Sequence, residues 1–280
     1  MKFMRIPALF LSLGLSLAVA GIADHIDRSD INGIDLLTLK TGVKNVVTLK
    51  GTLPLGNAAS PADNPALAYL TGSMLDKGTV NKDKFAIAAE LEGVGATLSF
   101  GVGNETLGIN AKCLAQDAPL VIALIAEQLR HPAMDAGEFE KVKKQYVAGL
   151  KQALDNTDQR AADAFSRAIY PVGHPNRKTP TEEVIAAVER TTLDEVKAFH
   201  ATNYGPAYLT LVLVGDVDGA AIKGEVATAF AGWTGGSKPE FPDVKGGNVD
   251  ASLDQVEFMA DKTIVSVVWG QATGLRYSDE

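Results

Sequence analysis

The apolar residues of this chain change their period repeatedly and in uneven order, and that pattern narrows the fold more than any other feature. Residues 34–39 and 45–49 alternate like half-buried strands, with Thr41-Gly42 between them as the turn of a strand pair. A helical period follows over residues 65–79 and again over 81–92, where Asn81 is placed to cap and Phe85, Ala88, Ala89 and Leu91 to face inward. Two strands, 96–100 and 105–113, flank Gly101-Val102-Gly103-Asn104. Helices are then expected over 117–130, 135–154 and 158–169, from Pro180 onward, and over 192–200. Tyr208 to Val214 is a continuous apolar run, the mark of a buried strand, and a helix to Phe230 follows it. Strands interleaved with helix pairs in this way predict an α+β domain: one mainly antiparallel sheet with helices packed on one face.

Several helix ends carry local signals. His131-Pro132 stops the helix whose apolar stripe is Leu120, Ile122, Leu124 and Ile125, and Asp135 with Glu138 resembles a capping box for the next. Thr179-Pro180-Thr181-Glu182 places proline at a first helical position with glutamate closing a box, and Thr192 with Glu195 repeats the box. His200 closes its helix, where a cation suits the dipole.

The ends of the chain read differently. Lys2 and Arg5 precede an apolar run from Ala8 to Leu17 and the small residues Ala18-Val19-Ala20, the pattern of a cleaved export signal over residues 1–20. Its loss would take the net charge from -8 to -10. Such acidity argues against nucleic acid, which needs a basic face, and gives no support for binding anionic lipid. No later stretch approaches a membrane span. Cys113 is the single cysteine, so no internal disulfide and no cysteine-based metal cluster can form; it reads as a half-buried strand residue. The expectation is an exported protein of the periplasm. Residues 21–232 would form one domain and 233–250 a linker, since Gly235 to Asp250 holds four glycines and two prolines. Residues 251–280, with strands over 255–259 and 263–269, would begin a second, similar domain.

Familiar chemical motifs fail on inspection. Residues 51–56 have the glycine spacing of a phosphate loop, but Asn57 stands where its lysine belongs. The glycines at 101 and 103 lie in a hairpin turn, not before a helix. His25, His131, His174 and His200 are scattered, Ser73 lacks a Gly-x-Ser-x-Gly elbow, and Glu138 and Glu140 read as helix-start charges.

The order of Ala66-Leu67-Ala68, Met74-Leu75-Asp76-Lys77-Gly78-Thr79, Glu92-Gly93-Val94-Gly95-Ala96 and His131-Pro132 resembles the M16 family of zinc metallopeptidases. This is the insulinase, pitrilysin and mitochondrial processing peptidase group. Tyr170-Pro-Val-Gly-His-Pro175, Asn203-Tyr204-Gly205-Pro206 and Val214-Gly215-Asp216-Val217 extend the likeness over residues 32–280. In active members the opening helix carries His-x-x-Glu-His, two zinc ligands one turn apart with the base between them. The resemblance lays those slots on Tyr69, Gly72 and Ser73, none of which suits the task. The family's third ligand, a glutamate, would come from the later long helix, where Lys141 to Leu154 contains no acid and Gly149 lies near the expected place.

On this basis no zinc or other cofactor is expected in this chain, and zinc is expected in a partner subunit. The resemblance implies a non-catalytic subunit supporting a zinc-bearing homologue in a heterodimer. In such pairs the second chain supplies an arginine and tyrosine late in its second domain, and adjacent Arg276-Tyr277 is not that pair. Two alternatives stand beside it. One is an envelope protein that pairs an extended peptide with the edge beside residues 96–100; the other is a hydrolase with an unrecognised site. Gly72 is not explained by helix stability, because a mid-helix glycine costs about 1 kcal/mol against alanine. It would leave room for a neighbouring backbone.

Overall fold

An Asn-Gly turn opens the sheet. Asn32 and Gly33 take φ of 55° and 91°, the backbone of a type I′ hairpin turn, and join β1 (Asp27–Ile31) antiparallel to β2 (Ile34–Lys40). Strand β1 is absent from the sequence reading because Asp27-Arg28-Ser29-Asp30 has no apolar alternation, although the Asn-Gly pair is itself a hairpin signal. The computed structural model describes residues 21–174, 176–240, 247 and 254–272.

Strands β3 (Val46–Leu53), β4 (Thr97–Val102), β5 (Leu107–Leu114) and β6 (Thr210–Gly215) complete a six-stranded sheet in the order β1-β2-β6-β3-β5-β4. Every neighbouring pair is antiparallel except β2 with β6. The expected pairing of residues 34–39 with 45–49 is thereby corrected. Strand β6 lies between them, with Leu37 opposite Val212 on one side and Leu49 opposite Leu213 on the other. Two strand spacings are about 10 Å, a gap that the short connection from Thr41 to Asn45 can bridge. The Thr41 N–H donates to the Gly215 carbonyl and the Asn45 N–H to the Asp216 carboxylate, so this connection steps over the end of β6. Gly215 has φ +139°, and a Cβ there would stand 2.0 Å from the Val46 carbonyl oxygen, so only glycine fits this crossing.

One face of the sheet is buried and the other is open, as strand alternation requires. Val47, Leu49 and Leu53 of β3 and Leu107, Ile109, Ala111 and Cys113 of β5 point into the core, while Thr48, Lys50, Asn110 and Lys112 point out. Cys113 is fully inside, and burial pushes its thiol up to about 11, so it stays protonated and packs as a small hydrophobe. Helices α1 (Leu67–Gly72), α3 (Ala118–Arg130), α7 (Leu193–Asn203) and α8 (Gly219–Ala229) contribute to the same core.

The helix ends show which local signals act. Thr192 and Glu195 form a complete capping box on α7. Asp135 caps α4 (Ala136–Leu154) by accepting from the Glu138 N–H. Helix α5 spans Thr157–Ile169 and starts on Asn156. Two expectations are corrected. Helix α2 (Lys84–Gly93) is capped by Asp83, not Asn81, and Phe85 is 72% exposed while Ile87 is the side chain buried. Helix α6 (Thr181–Arg190) has Pro180 at its N-cap, one position earlier than expected, with no side-chain cap bond.

Residues 254–272 hold no strand ladder, so the strands expected over 255–259 and 263–269 are not formed there. A strand needs a partner edge, and this segment instead lies along α5. The carboxylate of Glu257 meets Arg160 at 3.3 Å and Arg167 at 3.2 Å. The export signal expected over 1–20 and residues 273–280, with Arg276-Tyr277, lie outside the described residues. Of the expected linker, only residues 233–240 and 247 are described.

Glu138 provides a test of how the helical layer is tied together. Hydrogen bonds from Lys141 and Lys84 hold its carboxyl well below the ordinary range, at about 2. A lowered carboxylate pKa stabilises the fold above the unfolded value and is lost as the pH falls through the folded one. Glu138→Gln is therefore expected to melt below the wild type at pH 7. The gap should close between about pH 4.5 and pH 2, as followed by thermal unfolding across that range.

Candidate functional site

Helix α1 is shorter than its sequence pattern: it ends at Gly72, and turns carry the chain through Ser73 to Lys77. Its start is tied down by the Ser60 hydroxyl, which accepts from the Ala68 N–H. Leu67, Leu70, Met74 and Leu75 are all buried, as their spacing predicts. Gly72 is buried too.

The three motif positions meet helix α4 at a cavity of about 250 Å3. Tyr69, Gly72 and Ser73 line one side, Gln145, Tyr146 and Gly149 another, and Phe100 of β4 closes the end. Gly149 thus lies beside the three motif positions. The rings of Tyr69 and Tyr146 stack with centroids 3.8 Å apart and planes at 22°. Burial, with Tyr69 adding to it, pushes the Tyr146 phenol up to about 12, so it stays neutral.

Gly72 is closed in by packing. A Cβ there would come 2.4 Å from Val102 Cγ2, 3.2 Å from Leu107 Cδ1 and 3.7 Å from the Tyr204 hydroxyl. The neighbour that requires glycine is therefore a side chain, not the backbone expected from sequence. Beneath it, the buried Tyr204 hydroxyl has no hydrogen-bond partner, and burial raises its pKa. At Gly149 the situation is the reverse, since a Cβ would meet nothing within 4 Å.

These residues do not fit a zinc ion. Tyr69 is occupied by its stack, Gly72 offers no atom, Ser73 is a weak donor, and Gly149 offers only open space. Among the described residues no group of three or more His, Cys, Asp or Glu is placed to hold a metal. The histidines lie elsewhere. His174 is buried, stacks on Tyr170 and accepts from the Asn176 N–H through Nδ1. His131 caps the end of α3. His200 packs against Tyr204, with Nε2 2.8 Å from the Leu129 carbonyl. Burial lowers the His200 pKa, so the ring is neutral and donates that proton, which corrects the reading of it as a cation serving the helix dipole.

Tyr146, Gln145 and Phe100 were not singled out from sequence. A signal for Tyr146 exists: it precedes Gly149 by three residues and shares its helix face. Phe100 carries no such signal, because only the sheet's position against α1 brings it there.

Comparison with known proteins comes out consistently. The sequence model of the insulinase family, peptidase family M16, matches residues 37–180, and that of the peptidase M16 inactive domain matches residues 190–278. An uncharacterized zinc protease of Rickettsia bellii is 23% identical over 217 residues, covering 76% of this chain and 52% of that protein. The mitochondrial-processing peptidase subunit beta of Lentinula edodes is 23% identical over 190 residues, covering 67% of this chain and 40% of its own. The chain therefore spans about half the length of such relatives or less. The crystal structure of a peptidase M16 inactive domain from Pseudomonas fluorescens superposes with a TM-score of 0.71 over 80% of this chain and 55% of that one, at 23% identity. A protease from Helicobacter pylori gives the same TM-score at 16% identity, over 80% and 54%. At such identities the structures speak for the fold alone.

Two substitutions test the packing account. Gly72→Ala is expected to lose about 1–3 kcal/mol in urea unfolding by overpacking against Val102, although alanine favours a helix. Adding Val102→Ala should recover part of that loss. The triple change Tyr69→His, Gly72→Glu and Ser73→His is expected to bind no stoichiometric zinc by metal analysis, since it restores neither the carboxylate at Gly149 nor the space at Gly72.

Proposed function

Because the chain belongs to the peptidase M16 family, we propose that it is a non-catalytic member supporting a zinc-bearing homologue in the degradation of peptides or proteins. The observation that carries this reading is the cavity between α1 and α4. The motif positions and Gly149 converge there as they would in a peptidase, but they supply a tyrosine stack and two glycines. A chain that keeps the scaffold around such a site retains surfaces for assembly and peptide contact without the means to activate water. The partner would carry the zinc, and the pair would work in the periplasm, to which the signal over residues 1–20 would direct this chain.

A second reading is favoured by one feature of the sheet. Strand β4 lies at its edge, and Thr97–Val102 contains no charged residue and no proline. The opposite edge, β1, carries Asp27, Arg28 and Asp30. Charges protect an edge from added strands, so β4 is the edge left ready for an extended peptide. On this reading the protein binds peptides without a peptidase partner.

The test is co-purification with metal analysis. The chain alone is expected to contain no stoichiometric zinc and to cleave no peptide, and to recover a zinc-bearing homologue from the native periplasm. Stoichiometric zinc with cleavage by the chain alone would overturn the proposal. Peptide binding without a recovered homologue would select the second reading.

A further inference from the structure

Helix α5 presents an apolar face that the main core does not cover. Ala161, Ala164, Phe165 and Ala168 recur at helical spacing. Only Asp163 and Ser166 of this helix are buried, and none of its residues joins the central cluster. Residues 254–272 cover the apolar face instead, as two arms joined by a turn at Ala260-Asp261. The fit is loose. A cavity of about 480 Å3 remains between the α5 face and Met259, Ile264 and Val268 of the covering segment.

No backbone hydrogen bond holds this segment among the described residues, so side-chain contacts and packing fix it. On the first arm, Glu257 lies between Arg160 at 3.3 Å and Arg167 at 3.2 Å. The two arginines stand two helical turns apart and so share a face of α5. Arg160 is steadied in turn by Glu182 of α6, at 3.2 Å. On the second arm, the Ser266 hydroxyl is 2.8 Å from the Thr157 hydroxyl and meets the Asp158 carboxylate. Gly270 lies close on Phe165, where a Cβ would come 2.8 Å from the ring's Cζ.

A single exposed ion pair contributes little, but here two guanidiniums converge on one part-buried carboxylate. Loss of that carboxylate would leave two like charges facing the segment, and added salt would screen the attraction. In the closed arrangement the segment shields the apolar face of α5 and turns Val256, Phe258, Val265, Val267 and Trp269 to solvent. We propose that residues 254–272 are a releasable strap on α5, closed by the seating of Glu257 between Arg160 and Arg167. The strap opens as ionic strength rises or when that carboxylate is lost, and opening uncovers the apolar face of the helix.

The experiment uses the closeness of Ser266 to Thr157. With Thr157→Cys and Ser266→Cys together in the full chain, the two sulfurs are within reach of a disulfide only while the strap is closed. Cys113 is buried and takes no part. The quantity measured is the rate at which two thiols are lost under mild oxidation, read by alkylation and intact mass. A dithiol peptide controls for the effect of salt on the chemistry. The disulfide is expected to form readily at low salt, and roughly tenfold more slowly with Glu257→Gln. About 1 M sodium chloride should slow it as well. Glu257→Arg should also slow closure, and adding Arg167→Glu should recover part of the rate, which damage to the fold would not. No disulfide, a rate indifferent to salt or to Glu257→Gln, or no recovery by the reversed pair would overturn the proposal.

Discussion

Strand β6 is the constraint on which the rest of the structure depends. It comes from late in the domain, yet it pairs with β2 on one side and β3 on the other, the two strands nearest the start. Leu211 and Leu213 are fully buried, each contributing on the order of 2 kcal/mol. That burial must offset the loop-closure entropy of joining distant segments. Between β3 and β6 the chain adds β5 and β4 to the sheet, and helices α1, α3 and α7 share one core with the strands, with α1 against β4.

The candidate site inherits its geometry from that arrangement. Helix α1 is too short to be stable alone, so its position is set by burial of Leu67, Leu70, Met74 and Leu75. Held there, Gly72 meets Val102 on β4, and Tyr69 meets Tyr146 on α4. At this cavity a stacked aromatic pair, a glycine closed in by Val102 and open space beside Gly149 lie together.

Much of the fold is legible in sequence where the physics is local. The capping box at Thr192 and Glu195 reads correctly, because its two bonds join residues three apart. Alternation along β3 and β5 reveals the inward residues, since side chains in a strand point to opposite faces whatever the partner. The reading fails where a distant element decides. Residues 34–39 and 45–49 look like a hairpin because nothing local records that β6 comes between them. Phe85 looks like a core residue, yet α2 buries Ile87 and leaves Phe85 to solvent, a choice made by packing. His200 has the position of a dipole-serving cation, but burial against the Tyr204 ring lowers its pKa and keeps it neutral, despite the bond to the Leu129 carbonyl.

By itself the sequence determined the class of fold, the buried face of α1 and the residue types at the motif positions, including the missing acid on α4. Those properties depend on residue identity and on spacing within one element. Only the tertiary structure decided that Tyr69 stacks on Tyr146, that Gly72 is required by Val102, and that Asp76, Gln145 and Phe100 border one cavity. These contacts join segments far apart in the chain. Their distances follow from how the sheet and helices pack, which no local pattern encodes.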